Sequence, residues 1–131
     1  MKDDFSHIYE ISRALDNGEI ICLHGDRYMP WAKTIKSNFL GEEAYFPQGP
    51  FAMSVGFKVP VSYVFAMKEG SHHYHLSATP PKIYKSNVRE SKQALIDNAL
   101  SDFIQITETI VKKYPTQWFN YYNFWQTKEN T

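Results

Sequence analysis

One long periodic run constrains the fold more than any other stretch of the chain. Between about residues 88 and 114, Leu95, Ala99, Phe103, Ile106, Ile110 and Tyr114 recur at spacings of three and four, and Ile96, Leu100, Thr107 and Val111 widen the same stripe. That period is the signature of an amphipathic helix with one face turned to a core. Lys112 and Lys113 fall in its last turn, where positive charge suits the helix dipole. Pro115 then stops it, because the residue before a proline is pushed out of the helical region.

The remaining elements are shorter and must pack around that helix. Residues 4–16 read as a second helix, with Asp3 or Asp4 as cap and Phe5, Ile8, Ile11, Ala14 and Leu15 on one face. Asn17-Gly18 supplies its C-cap. Ile20-Ile21-Cys22-Leu23 is a continuous apolar run, which predicts a strand buried on both faces. Residues 33–40 alternate like a half-buried strand, and residues 40–44 turn the chain into Tyr45-Phe46. Pro47-Gln48-Gly49-Pro50 is a break, with Pro50 placed to open a short helix through about Val55. An apolar strand over 61–67, a turn at Glu69-Gly70-Ser71 and an alternating strand over 72–78 make a hairpin. The fold class expected is α/β: a mixed, largely buried sheet with flanking helices and a long C-terminal amphipathic helix.

At 131 residues the chain is one domain, 1–131, long enough to hide roughly two thirds of its unfolded surface. Fourteen basic and fourteen acidic residues cancel, so no bulk field recruits nucleic acid or an anionic membrane, and no basic stripe supports a nucleic-acid role. The first ten residues lack the apolar segment of a signal peptide. The longest apolar stretches, residues 20–23 and 59–67, fall well short of the ~20 residues that span a bilayer.

Four blocks, in order, resemble those of a known family. Gly18-Glu19-Ile20-Ile21-Cys22-Leu23-His24-Gly25-Asp26-Arg27 resembles a hydrophobic strand leading into Asp-Arg or Asp-Gln. Phe39-Leu40-Gly41-Glu42-Glu43-Ala44 with Phe46-Pro47-Gln48-Gly49-Pro50 resembles its Phe-Phe-Gly and Phe-Pro-x-Gly-Pro block. Val59-Pro60-Val61-Ser62-Tyr63-Val64 resembles its Pro-Val strand, and Tyr114-Pro115-Thr116-Gln117-Trp118 its closing Pro-x-Gln-Trp signature. The family is the bacterial lipid A (lauroyl/myristoyl) acyltransferases, of the lysophospholipid acyltransferase-like superfamily, and the resemblance covers about residues 10–125.

That resemblance implies transfer of a fatty acyl group from an acyl carrier protein or coenzyme A thioester to a lipid A-like or lysophospholipid-like acceptor. The thioester is a co-substrate, and no cofactor is implied. Members work at the cytoplasmic face of the inner membrane; this chain itself is expected to be soluble, with peripheral membrane contact at most. The family's general base is a His, oriented by an Asp or Glu five positions on. None of the five histidines here has that partner: the fifth positions after them are Ser12, Met29, Ser77, Ala78 and Pro80. The chain is therefore expected to be the C-terminal part of an acyltransferase domain, inactive alone, with no catalytic residue of its own to name. A half-domain exposing apolar surface is also expected to self-associate.

The substrate-binding residues implied are Asp26, Arg27, Phe46, Gln48, Gly49 and Pro50. Arg27 could clamp a phosphate or carboxylate with two parallel hydrogen bonds, or simply pair with Asp26 at the surface. Gly49 and Pro50 open a helix whose free N–H groups suit an anion, or form a plain turn and cap. Gln48 stands where glycerolipid acyltransferases often carry Glu, so it can hydrogen-bond an acceptor without ionising.

Other features read more simply. His72-His73-x-His75 puts only two imidazoles on one face of a strand, too few for zinc, so no metal site is expected. Cys22 between large aliphatics is expected to be a buried, inert thiol. The tail, with Trp118, Phe119, Tyr121, Tyr122, Phe124 and Trp125, either covers the core or meets lipid or another chain. The family commonly has basic residues just before the final aromatic; Asn123 and Phe124 stand there instead, which weakens a lipid A assignment within the class. Beside the enzyme reading stand a non-catalytic domain that binds lipid or acyl carrier, and a small structural α/β domain.

Overall fold

A computed structural model describes residues 5–86 and 89–125. The caps expected at Asp3 or Asp4 and the start of the long run at Val88 lie outside the described residues. The element order is α1 (Phe5–Asp16), β1 (Thr34–Phe39), β2 (Glu42–Pro47), α2 (Gly49–Phe57), β3 (Val64–Lys68), β4 (Tyr74–Ala78), α3 (Lys92–Lys113) and a 3-10 turn (Pro115–Gln117).

The mixed α/β class expected from the sequence is the one observed, with the long helix at its C-terminal side. The strands form two separate antiparallel pairs, β1 with β2 and β3 with β4. Each pair arises locally. In the first, Phe39 faces Glu42 across a two-residue loop, Leu40-Gly41, both with positive φ (54° and 93°). That is the loop geometry whose twist matches paired strands, and the expected five-residue turn is this tighter one. The second pair is the hairpin expected around Glu69-Gly70-Ser71, with Val64 opposite Ala78 and Lys68 opposite Tyr74.

α1 ends as read. Gly18 takes φ 76°, its N–H donates to the Leu15 carbonyl, and the Glu19 N–H reaches back to that of Ala14. This is a Schellman motif, and glycine relieves the left-handed turn it needs. α3 is capped by Ser91, whose hydroxyl accepts from the Ala94 N–H at 3.1 Å. Its buried line is Ile96, Ala99, Leu100, Ile104 and Thr107. The centre of the buried face is thus turned by about one residue from the expected stripe: Ile104, not part of that stripe, is buried, while Leu95 and Phe103 flank it. α2 packs against α3, with the Phe51 and Phe103 rings 5.5 Å apart.

One element expected from the sequence is absent. Residues 20–23 form no strand: Ile20 is 88% exposed, Leu23 half exposed, and Cys22 lies at the surface rather than buried. Residues 19–33 are irregular instead. An apolar run makes a buried strand only where other strands flank it, and here each pair of strands is closed by its own local hairpin.

The core joins the first hairpin, α2, α3 and the tail: Phe39, Ala44, Phe46, Phe51, Val55, Ile96, Ala99, Leu100, Ile104 and Phe124, with Tyr84. Rings meet mostly edge to face, Phe39 with Phe46 at 5.8 Å and with Trp118 at 5.3 Å. Part of the tail covers the core, as one of its two readings expects. Phe124 is buried, Trp118 and Trp125 pack against the core, and the Trp125 indole donates to the Phe39 carbonyl at 3.0 Å. Phe119, Tyr121 and Tyr122 remain exposed.

Candidate substrate-binding site

Asp26 and Arg27 sit where the irregular segment meets the tail. The Arg27 guanidinium donates through Nη2 to the Phe119 carbonyl at 2.7 Å. The Trp118 indole donates to Asp26 Oδ2 at 3.2 Å, and the Tyr122 hydroxyl to the Asp26 carbonyl at 3.2 Å. Arg27 Nε stands 3.9 Å from Asp26 Oδ1, a long ion pair. The two residues therefore fasten the tail. The Arg27 side chain is still 44% exposed, and a planar fork with five N–H groups keeps donors for an anion. Gly25 just before them is required by packing: a Cβ there would come within 2.7 Å of the Phe103 ring.

Gln48, Gly49 and Pro50 stand at the start of α2. Gln48 precedes α2 without capping it through its side chain; its N–H donates to the Lys33 carbonyl and its own carbonyl accepts from Ala52. Pro50 occupies the first turn, where its missing N–H costs nothing. Gly49 is exposed, and a Cβ added there would touch nothing within 4 Å. Its φ is not positive, so neither backbone nor packing of this chain demands glycine. Gly49 opens onto a cleft of about 580 Å³ between α1 and α2, walled by Ile8, Ile11, Ala52, Met53 and Phe57, with Lys92 at its edge. Arg27 does not line that cleft. Phe46 is 1% exposed, and its ring contacts are with Phe39, Phe103 and Phe124. It shapes the core behind the site rather than facing solvent.

A second polar group of residues, not singled out from the sequence, lies between the β3–β4 hairpin and α3. Lys82 Nζ and the Tyr84 hydroxyl both donate to Asp102 Oδ2, each at 2.7 Å. The Tyr63 hydroxyl lies 2.7 Å from the Ala99 carbonyl and 3.0 Å from the Tyr84 hydroxyl. Two hydroxyl protons are available for these three short contacts, so one of the three is always without a proton. Burial, then these hydrogen bonds, push the Tyr84 hydroxyl far above the ordinary tyrosine range, and burial raises Tyr63 as well. Burial alone would raise Asp102, but the bonds from Lys82 and Tyr84 outweigh it and hold the carboxyl below its usual value. At neutral pH the Asp102 carboxylate thus stands beside two protonated phenols. The one clue in the sequence is Asp102, a charge beside Phe103 on the flank of the apolar stripe.

Among the described residues, no three His, Cys, Asp or Glu side chains converge as metal ligands, and His72, His73 and His75 are exposed on the hairpin. No helix among them is long and apolar enough to cross a membrane.

The class of protein is that of the acyltransferases, and the comparison that shows it takes in nearly the whole chain. The chain belongs to the bacterial lipid A biosynthesis acyltransferase family, whose model matches residues 1–127. Searches of curated proteins and of solved structures give no match.

Proposed function

We propose that this chain is a substrate-binding portion of a lipid acyltransferase. In the reaction, a fatty acyl group passes from an acyl carrier protein or coenzyme A thioester to a hydroxyl or amine of a lipid A-like or lysophospholipid-like acceptor. The observation that carries the reading is the family match over residues 1–127. Within these 131 residues no His has a carboxylate five positions on. We therefore assign the general base to protein outside them and the holding of substrate to the residues present.

Two features support that division. The cleft beside α2 is apolar along its walls, of a size that small-ligand sites have, and open to unshielded backbone at Gly49. An acyl chain entering it gains about 0.8 kcal/mol per buried CH₂, while the first turn of α2 and Lys92 favour an anionic end. Arg27 is a second anchor, for a phosphate or carboxylate of acceptor or carrier. The exposed apolar surface described above suits contact with lipid or with another copy of the chain.

The test is a pair of measurements on the purified chain. Mixed with acyl-carrier thioester and lysolipid, it should give no transfer above background; turnover would overturn the assignment of the base elsewhere. It should bind a fluorescent fatty acyl probe, and Ala52→Trp, which fills the cleft, should weaken that binding about tenfold or more. A chain that binds neither acyl probe, anionic lysolipid nor carrier would sink the reading as a whole. The lack of the His–carboxylate pair also favours a second reading, a non-catalytic lipid- or carrier-binding domain. Restored transfer on adding a segment with the pair would exclude it.

A further inference from the structure

The group around Asp102 borders a cleft of its own, about 400 Å³, between the end of the second hairpin and α3. Lys82, Tyr84 and Asp102 form its polar floor, Gln105 stands on one wall, and Val61 and Ile106 offer apolar surface. Its volume lies in the range of small-molecule sites and fits a single six-membered ring with substituents.

From this geometry we infer a binding site for a neutral, hydroxyl-rich ligand of monosaccharide size, separate from the α2 cleft and from Arg27. Three observations select that chemistry. Lys82 and Asp102 neutralise each other at 2.7 Å, so the cleft presents no net charge to hold an anion, and a phosphate would lie beside a carboxylate. Both internal hydrogen bonds to Asp102 fall on Oδ2, which leaves Oδ1 as an acceptor. Lys82 Nζ has N–H groups beyond the one given to Asp102, and Gln105 adds an amide. Acceptor and donors side by side match hydroxyl groups, each of which can give one bond and take another. Val61 and Ile106 match the C–H face such a ring presents. Fixed geometry comes from the buried part of the group: Tyr84 is 4% exposed and its hydroxyl donates to Asp102, so the carboxylate is held in place before a ligand arrives.

The inference does not depend on acyl transfer, and its test reads binding alone. In amide NMR spectra of the whole chain, methyl β-glucopyranoside should cause saturable shifts at residues 79–84 and 102–109. Inorganic phosphate at equal concentration should cause none there. Lys82→Met removes an exposed donor and leaves the core untouched, and it should weaken the glucoside about tenfold with the rest of the spectrum preserved. Ile106→Trp, which fills the cleft without altering its polar floor, should abolish the shifts. Absence of saturable shifts with the glucoside would overturn the inference. So would phosphate binding at these residues, or unchanged glucoside binding in both variants.

Discussion

Thr107 lies in the middle of α3 at 7% exposure, and its hydroxyl finds no hydrogen-bond partner among the described residues. A buried hydroxyl without a partner loses its water and gains nothing in return. Thr107→Val keeps the shape and the branching at Cβ while removing the polar atom. It is expected to raise stability by up to about 1 kcal/mol, read as a higher melting temperature; a fall in Tm would mean the hydroxyl has a partner after all. Asp102 makes the opposite case, a charge well supplied with donors. Its folded value lies below the ordinary 3.8, so it contributes stability above that value and loses it as pH falls through the lowered one. Asp102→Asn should therefore flatten the acid limb of the stability curve below about pH 4, measured by urea unfolding across pH, and leave its slope near pH 7 unchanged.

Elements made by near neighbours were legible in the sequence, and those made by distant ones were not. α3, the α1 cap, α2 and the hairpin at Glu69-Gly70-Ser71 each follow from local period, capping or turn chemistry. The segment 20–23 reads as a buried strand because Ile, Ile, Cys and Leu stand together, yet burial needs neighbours that local sequence does not reveal. What fixes the nearby chain is remote: Gly25 beneath the Phe103 ring, and Asp26 and Arg27 bound to the tail more than ninety residues away. The site divides the same way. Asp26, Arg27 and Gly49 stood out within short motifs, whereas Tyr63, Lys82, Tyr84 and Asp102 come from three separate segments and only folding brings them together. Two substitutions probe the remote contacts. Gly25→Ala drives a Cβ into the Phe103 ring and should cost about 1–3 kcal/mol in chemical unfolding. Arg27→Ala removes the bond to Phe119 while Trp118 and Phe124 still pack on Phe39. The tail should then loosen without global unfolding, seen as faster amide exchange at residues 118–122 with Tm nearly unchanged; a cooperative loss of the whole fold would show that the clasp holds more than the tail.

At the scale of the whole molecule, the apolar surface is unevenly covered. The first hairpin is sealed by α2, α3 and the tail, but the second presents Val64, Ala66, Leu76 and Ala78 outward from paired positions, with Val64 69% and Leu76 73% exposed. A contiguous apolar sheet face of this kind calls for a partner. Part of the edge of β3 is already taken, because the Gln117 side chain accepts from the Lys68 N–H and donates to the Lys68 carbonyl, both at 2.7 Å. That side-chain amide stands in for a neighbouring strand and leaves the face, rather than this end of the edge, as the route of association. Two copies packing face to face would bury the same four side chains twice. Sedimentation velocity over rising protein concentration should therefore show growth in average mass, undiminished by salt because the contact is apolar. Leu76→Lys should return the chain to monomer with its helical signal intact, since Leu76 touches no core residue described above. A wild-type chain that sediments as a sharp monomer at every concentration would leave this face to lipid or to a different protein.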